Sequence, residues 1–219
     1  MNEAEFFEQV KNMRGVVNQV QKQISEDYKH TLFLPIIFGL LVPPFIIAMA
    51  NENEIGFISF IGMTILWAYV LFTYGYLRCL GVFKVSVDRA VKGLLVAMVI
   101  LLFQMLIMFL TKAQGGVGQF RGLHLNILLP VACLIGPAWE ETIFRYAINI
   151  KFFKGGFKGV CVSSALFAVA HGSTRLVDLL VYFGMGFLLC LANRGREDIF
   201  ASVLAHSIIN VVAVLAFVE

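Results

Sequence analysis

Charge is scarce in these 219 residues. Charged side chains make up 14% of the chain and apolar ones 59%, against about 25% and roughly 45–50% in ordinary globular domains. Thirty-one charges cannot coat a water-facing surface on a chain with 21 phenylalanines and a mean hydropathy of +0.84. A soluble domain is excluded, and the composition predicts an all-α polytopic integral membrane protein. The net charge of +3 is spread thinly. No dense Lys/Arg stripe exists, which excludes nucleic acid as a partner. Cysteine is equally sparse. Cys79, Cys133, Cys161 and Cys190 form no CxxC pair, and three of them lie in apolar runs, so they read as small packing residues. A secretory signal is not expected, because the first thirty residues are polar and charged. Internal repeats are also missing, which argues against a transporter built from repeated halves.

What is present divides into an arm and a series of apolar runs. Over 1–30, Phe6, Val10, Met13, Val17, Val20 and Ile24 recur at spacings of three and four, the period of an amphipathic helix on the cytosolic membrane surface. Seven apolar segments follow, near 31–50, 55–77, 93–110, 126–150, 159–172, 176–192 and 199–218, most of them close to the ~20 residues a span needs. The division expected is an arm (1–30), N-terminal spans without motifs (31–125) and a core carrying the polar residues (126–219). Placing alternate connections inside puts thirteen Lys and Arg on the inner side and three on the outer. Positive-inside bias then predicts a multi-pass protein of the cell membrane with its N-terminus in the cytoplasm and its C-terminus outside.

Three charges sit where an apolar span should run. Glu140, Glu141 and Arg145 interrupt the fourth segment, and a charge at mid-helix costs about 2.5–3.5 kcal/mol on insertion scales. Glu141 and Arg145 are four apart in the acid-first order, so they pair naturally. Glu140 is turned about 100° from Glu141, which leaves it as a free acid. Gly136-Pro137 upstream predicts a helix break, with both acids near the N-terminus of a new half-helix. His171 closes an apolar run. His206 lies four before Asn210 in the last segment, an imidazole and an amide on one face, suited to polarising a carbonyl oxygen. At about 1.5 Å per residue, Glu140, His171 and His206 lie about 15, 20 and 10 Å from the inner ends of their segments, at overlapping depths. Arg175 and Asp178 read as a local pair, and Gly184 and Gly186 as sites of close helix approach.

Together these residues form three ordered motifs: Glu140-Glu141-Thr-Ile-Phe-Arg145 (EExxxR), Phe167-Ala-Val-Ala-His171 (FxxxH) and His206-Ser-Ile-Ile-Asn210 (HxxxN). Over roughly 128–212 the chain resembles the CPBP family, the type II CAAX prenyl endopeptidases and Abi-type bacteriocin-processing or immunity proteins. The resemblance implies an intramembrane endopeptidase acting on a membrane-associated peptide or protein. Glu140 would be the general base for a water whose proton His171 holds or shares, and His206 and Asn210 would form the oxyanion hole. Glu141, Arg145 and Phe167 would be structural support. One Glu and two His could make a zinc set. No HExxH pair is present, however, and Asn210 beside His206 suits hydrogen bonding, so chemistry without a cofactor ranks first. The competing readings are a non-catalytic membrane regulator on the same scaffold, serving bacteriocin immunity or a sensor, and an ion or proton transporter. Substrate and oligomeric state are not legible.

Overall fold

The structure is a computed structural model that describes residues 85–111, 129–195 and 198–218, besides the isolated positions 8, 11–16, 19, 62, 65, 66 and 69. Apart from those positions, the expected amphipathic arm over 1–30 and the expected spans 31–50 and 55–77 lie outside the described residues. The described elements are all helical. Helix α1 runs Val87–Thr111. Helix α2 is a continuous rod made of a π-helical turn Val131–Ile135, an α-helical centre Gly136–Glu141 and a π-helical stretch Thr142–Phe152. Then come α3 (Phe157–Ala170), α4 (Leu176–Ala192) and α5 (Phe200–Val218).

Two boundaries differ from the sequence expectation. Helix α1 begins at Val87, so Arg89 and Lys92 belong to its first turns and not to a connection. Arg89 is held there by Asp198, just ahead of α5, at 3.2 Å. The second difference is larger. No break occurs at Gly136-Pro137: Ile135 keeps right-handed helical angles (φ −72°, ψ −47°) and the chain passes straight through. Proline lacks an N–H, and its ring collides with the carbonyl four residues back. A widened π turn ahead of Pro137 relieves both problems without ending the helix. Glu140 and Glu141 therefore sit in mid-rod, with no half-helix N-terminus behind them.

The helices pack with a simple polarity. Asn210 reaches Ala132 and His206 reaches Glu141, so α2 and α5 are antiparallel. Ser163 Oγ donates to the Phe144 carbonyl at 2.6 Å, tying α2 to α3 in the opposite sense. Tyr182 stacks on His171 and Gly186 lies against Ser164, which makes α3 and α4 antiparallel as well. Glycine is needed at both α4 positions named in the sequence. A Cβ at Gly184 would stand 2.5 Å from the Phe103 ring of α1, and one at Gly186 would stand 3.1 Å from the Ser164 backbone. Ala97, Ile100, Phe144, Phe167, Leu189 and Ile209 are buried in the core where these helices meet.

Outside that core the surface is apolar. Leu102, Met105, Phe109, Val169 and Leu180 are exposed, a density of bare hydrocarbon that water does not tolerate. Among the described residues α1 alone is both long and apolar enough to cross a bilayer; Phe157–Ala170, Leu176–Ala192 and Phe200–Ala216 are shorter apolar helices. The protein is a membrane protein.

Gly184→Val would drive its side chain into Phe103, an overpacking cost of about 1–3 kcal/mol. The melting temperature in detergent should fall, and Phe103→Ala should recover part of the loss in the double variant. Equal melting of Gly184→Val and wild type would contradict this packing.

Candidate active site

The polar centre is built around Glu141, which is fully buried. One carboxylate oxygen, Oε2, lies 3.1 Å from Arg145 Nε, four residues on and equally buried. The other, Oε1, lies 3.0 Å from Nδ1 of His206 on α5. A carboxylate paired with arginine is an acceptor only, so His206 Nδ1 must carry the hydrogen and donate it. The Arg145 guanidinium lies 4.2 Å over the Phe167 ring, a cation–π contact in a dry interior. Phe167 in turn meets the His171 ring at a tilt of 55°, 4.4 Å between centroids, and meets His206 edge-on at 5.7 Å.

Glu140 faces a different side of the same helix turn. Its side chain is 28% exposed against none for Glu141, which separates the two acids as the 100° rotation requires. Glu140 Oε2 lies 3.8 Å from His171 Nε2 and 3.9 Å from His206 Nε2, and it accepts no hydrogen bond from the protein. His171 follows the last residue of α3, and its Nδ1 is 2.8 Å from the Phe167 carbonyl. A carbonyl only accepts, so Nδ1 is the donor. In neutral His171 and neutral His206 the hydrogen is thus on Nδ1, and the bare Nε2 lone pairs converge on one Glu140 oxygen.

Of the residues singled out in the sequence, the structure gathers Glu140, Glu141, Arg145, Phe167, His171 and His206 into one cluster. Asn210 is placed beside it, on the same helix as His206, and its Nδ2 donates to the Ala132 carbonyl at 2.6 Å. That bond uses one amide hydrogen and leaves the second. Arg175 and Asp178 do pair, at 3.6 Å, and Ser173 donates to the same carboxylate. Tyr182 was missed. It stacks on His171 with centroids 4.0 Å apart and 26° between planes, a second ring contact besides that of Phe167. Its signal was a lone tyrosine inside the apolar α4 segment, four residues after Asp178.

Three lone pairs around one point raise the question of a metal. Ligands at zinc bond lengths of about 2.0–2.2 Å lie roughly 3.3 Å apart at a tetrahedral centre, closer than the 3.8 and 3.9 Å found here. Among the described residues no group of three His, Cys, Asp or Glu is placed to hold a metal ion.

Fold and cluster together define an all-helical membrane domain organised on a buried acid–arginine–histidine network. Residues 122–212 match the family model of the type II CAAX prenyl endopeptidase Rce1-like proteins. The chain is similar to the putative membrane peptidase YdiL of Bacillus subtilis (strain 168), 29% identical over 99 residues, 42% of this chain and 38% of that protein. It is also similar to the membrane-embedded CAAX protease MroQ of Staphylococcus aureus (strain USA300), 33% identical over 86 residues, 35% of this chain and 34% of that one. The matched stretch thus spans little more than a third of each relative. No solved structure matches.

Glu141→Gln removes the partner of a buried arginine and should destabilise the protein by about 3–5 kcal/mol, the cost of stranding a buried charge. Glu140→Gln should leave thermal melting in detergent close to wild type. Equal losses from the two variants would contradict the division between the acids.

Proposed function

We propose that this protein is an intramembrane endopeptidase that cleaves a small membrane-associated peptide or CAAX-like protein without a metal. The observation that carries the reading is the convergence of His171 Nε2 and His206 Nε2 on Glu140 Oε2, beside a fully buried supporting network. The names of the two relatives, a membrane peptidase and a CAAX protease, point the same way.

In this mechanism a water sits between Glu140 and His171. Glu140 takes one of its protons as the oxygen attacks the scissile carbonyl carbon, and His171 holds the water through its Nε2 lone pair. The carbonyl π electrons move to the oxygen. His206 reaches that oxyanion as a donor through Nε2 only in its imidazolium form, because the Nδ1 hydrogen is committed to Glu141. Asn210 contributes its remaining amide hydrogen. When the tetrahedral intermediate collapses, the C–N bond breaks and the proton held by Glu140 passes to the leaving amine. Tyr182 and Phe167 both contact the His171 ring, which supports the orientation a base needs.

We further propose a multi-pass topology with the N-terminus in the cytoplasm and the C-terminus outside. The Arg89–Asp198 pair supports it, because it brings the start of α1 and the connection ahead of α5, both assigned to the inner side, to one end of the bundle. The lipid bilayer and the substrate peptide are the partners this reading requires.

The test compares membrane peptides and protein C-termini in cells carrying wild type or Glu140→Gln at equal expression. New termini appear only with wild type if the reading holds. With a substrate so found, Glu140→Gln and His171→Ala should each slow turnover by about 10²–10⁴-fold, and a strong zinc chelator should leave the rate unchanged. Identical termini in both cell lines, with function retained by Glu140→Gln, would point to the non-catalytic regulator.

A further inference from the structure

A second polar place lies at the other end of α2, away from the acids. Where α2 ends, α3 begins and α4 ends, the helices form a half-open cavity of about 480 Å³. Lys151, Lys154 and Arg194 line it, and among the described residues no acidic side chain does. Its apolar wall comes from Phe157, Val160 and Phe187, and Phe157 is 75% exposed at the surface. Asn149 also lines it. That side chain is 97% buried, yet its Oδ1 has no hydrogen-bond partner, and it lies against the first turn of α3, 2.8 Å from where a Cβ of Gly159 would stand.

Two backbone features sharpen the site. Helix α3 starts after Gly156, and no side chain caps it. Its leading N–H groups and the positive end of its dipole are therefore available to an anion. The turn feeding it holds Lys154 at φ 55°, left-handed in a non-glycine residue, followed by Gly155 at φ 69°. Such a conformation carries strain in lysine and recurs where a backbone is fixed for function.

Basic residues at the inner ends of spans are ordinary topological markers. Here two connections far apart in sequence bring theirs around one half-open space, together with an uncapped helix start and an unsatisfied buried amide oxygen. We propose that this cavity binds the headgroup of an anionic phospholipid. Lys154 and Arg194 would contact the phosphate, with the N-terminus of α3 behind it. Asn149 Oδ1 would accept a hydrogen from a headgroup hydroxyl, and the acyl chains run along Phe157. The apolar lip is what favours a lipid over a free phosphate. The site shares no residue with the acid–histidine cluster, so the proposal stands or falls separately from the protease reading.

The test uses the purified full chain in detergent micelles, with phosphatidylglycerol or phosphatidylcholine of identical acyl chains, and counts retained lipid by native mass spectrometry. Lys154→Asn/Arg194→Gln removes the two exposed charges, asparagine being tolerant of the left-handed turn. Lys158→Gln is the control, a lysine on the same helix that does not line the cavity. Wild type and Lys158→Gln should retain phosphatidylglycerol over phosphatidylcholine, and the double variant should lose that preference by about tenfold or more. Melting without added lipid should match in all three. Equal retention by the double variant, or equal loss in Lys158→Gln, would overturn the proposal in favour of diffuse surface charge. Displacement of phosphatidylglycerol by millimolar inorganic phosphate would overturn the lipid assignment and make the cavity a site for a soluble anion.

Discussion

The buried polar centre of this molecule depends on one carboxylate with two committed oxygens. Glu141 gives Oε2 to Arg145 on its own helix and Oε1 to His206 on α5, 65 residues away. Placing a carboxylate and a guanidinium in an apolar interior costs several kcal/mol per ion, and only close pairing returns it. The pair therefore holds the one arrangement that keeps both charges compensated. His206 is drawn into the same requirement, and its tautomer follows without further assumption. Arg145 has Nη atoms without hydrogen-bond partners, but the Phe167 ring beneath it supplies a face that attracts cations. That accounts for an aromatic residue in a motif whose chemistry belongs to histidine.

The neighbouring acid owes its freedom to that commitment. Glu140 and Glu141 are one residue apart and 100° apart around the helix, so they cannot share partners on one face. His206 resolves the difference because an imidazole has two nitrogens pointing in different directions. Nδ1 addresses Glu141 and Nε2 addresses Glu140. The structural acid thus sets the position of a ring against which the free acid is aimed. His171 is held independently, by its own Phe167 carbonyl and by the rings of Phe167 and Tyr182. Two imidazoles fixed by separate means meet one oxygen of a partly exposed carboxylate.

How far this could be read from the sequence depended on how local each interaction was. The Glu141–Arg145 pair is a spacing of four, visible to anyone counting. The separate character of Glu140 followed from the rotation between adjacent residues. The segment over 176–192 coincides with α4 because its ends carry Arg175 and Asn193, polar punctuation that a hydropathy reading registers. The Glu141–His206 bond was not legible, since nothing in either motif says which histidine meets which acid. Gly136-Pro137 misled for a physical reason. Proline forbids one hydrogen-bonding register, and the sequence does not show that a π turn can supply another. Tyr182 was hidden because stacking depends on the pairing of α3 with α4.

The same rods that hold the cluster also shape the basic cavity. From Glu140 to Lys151 is eleven residues, about 17 Å at the α-helical rise. Over that length α2 is π-helical and pressed against α3 by Ser163, which donates to the Phe144 carbonyl, and by Gly159, where a Cβ would collide with Phe153. Close backbone approach without intervening side chains makes such a pair stiff, because packed interiors have little compressibility. The order in which α2 displays its residues is consequently the organising fact of the molecule. Its α-helical centre divides two acids between support and solvent, and its π-helical end delivers Asn149 and Lys151 to the space beside α3. An apolar chain with few charges has placed both acids and the arginine of its buried network along one rod, and the surrounding helices bring the two histidines to them.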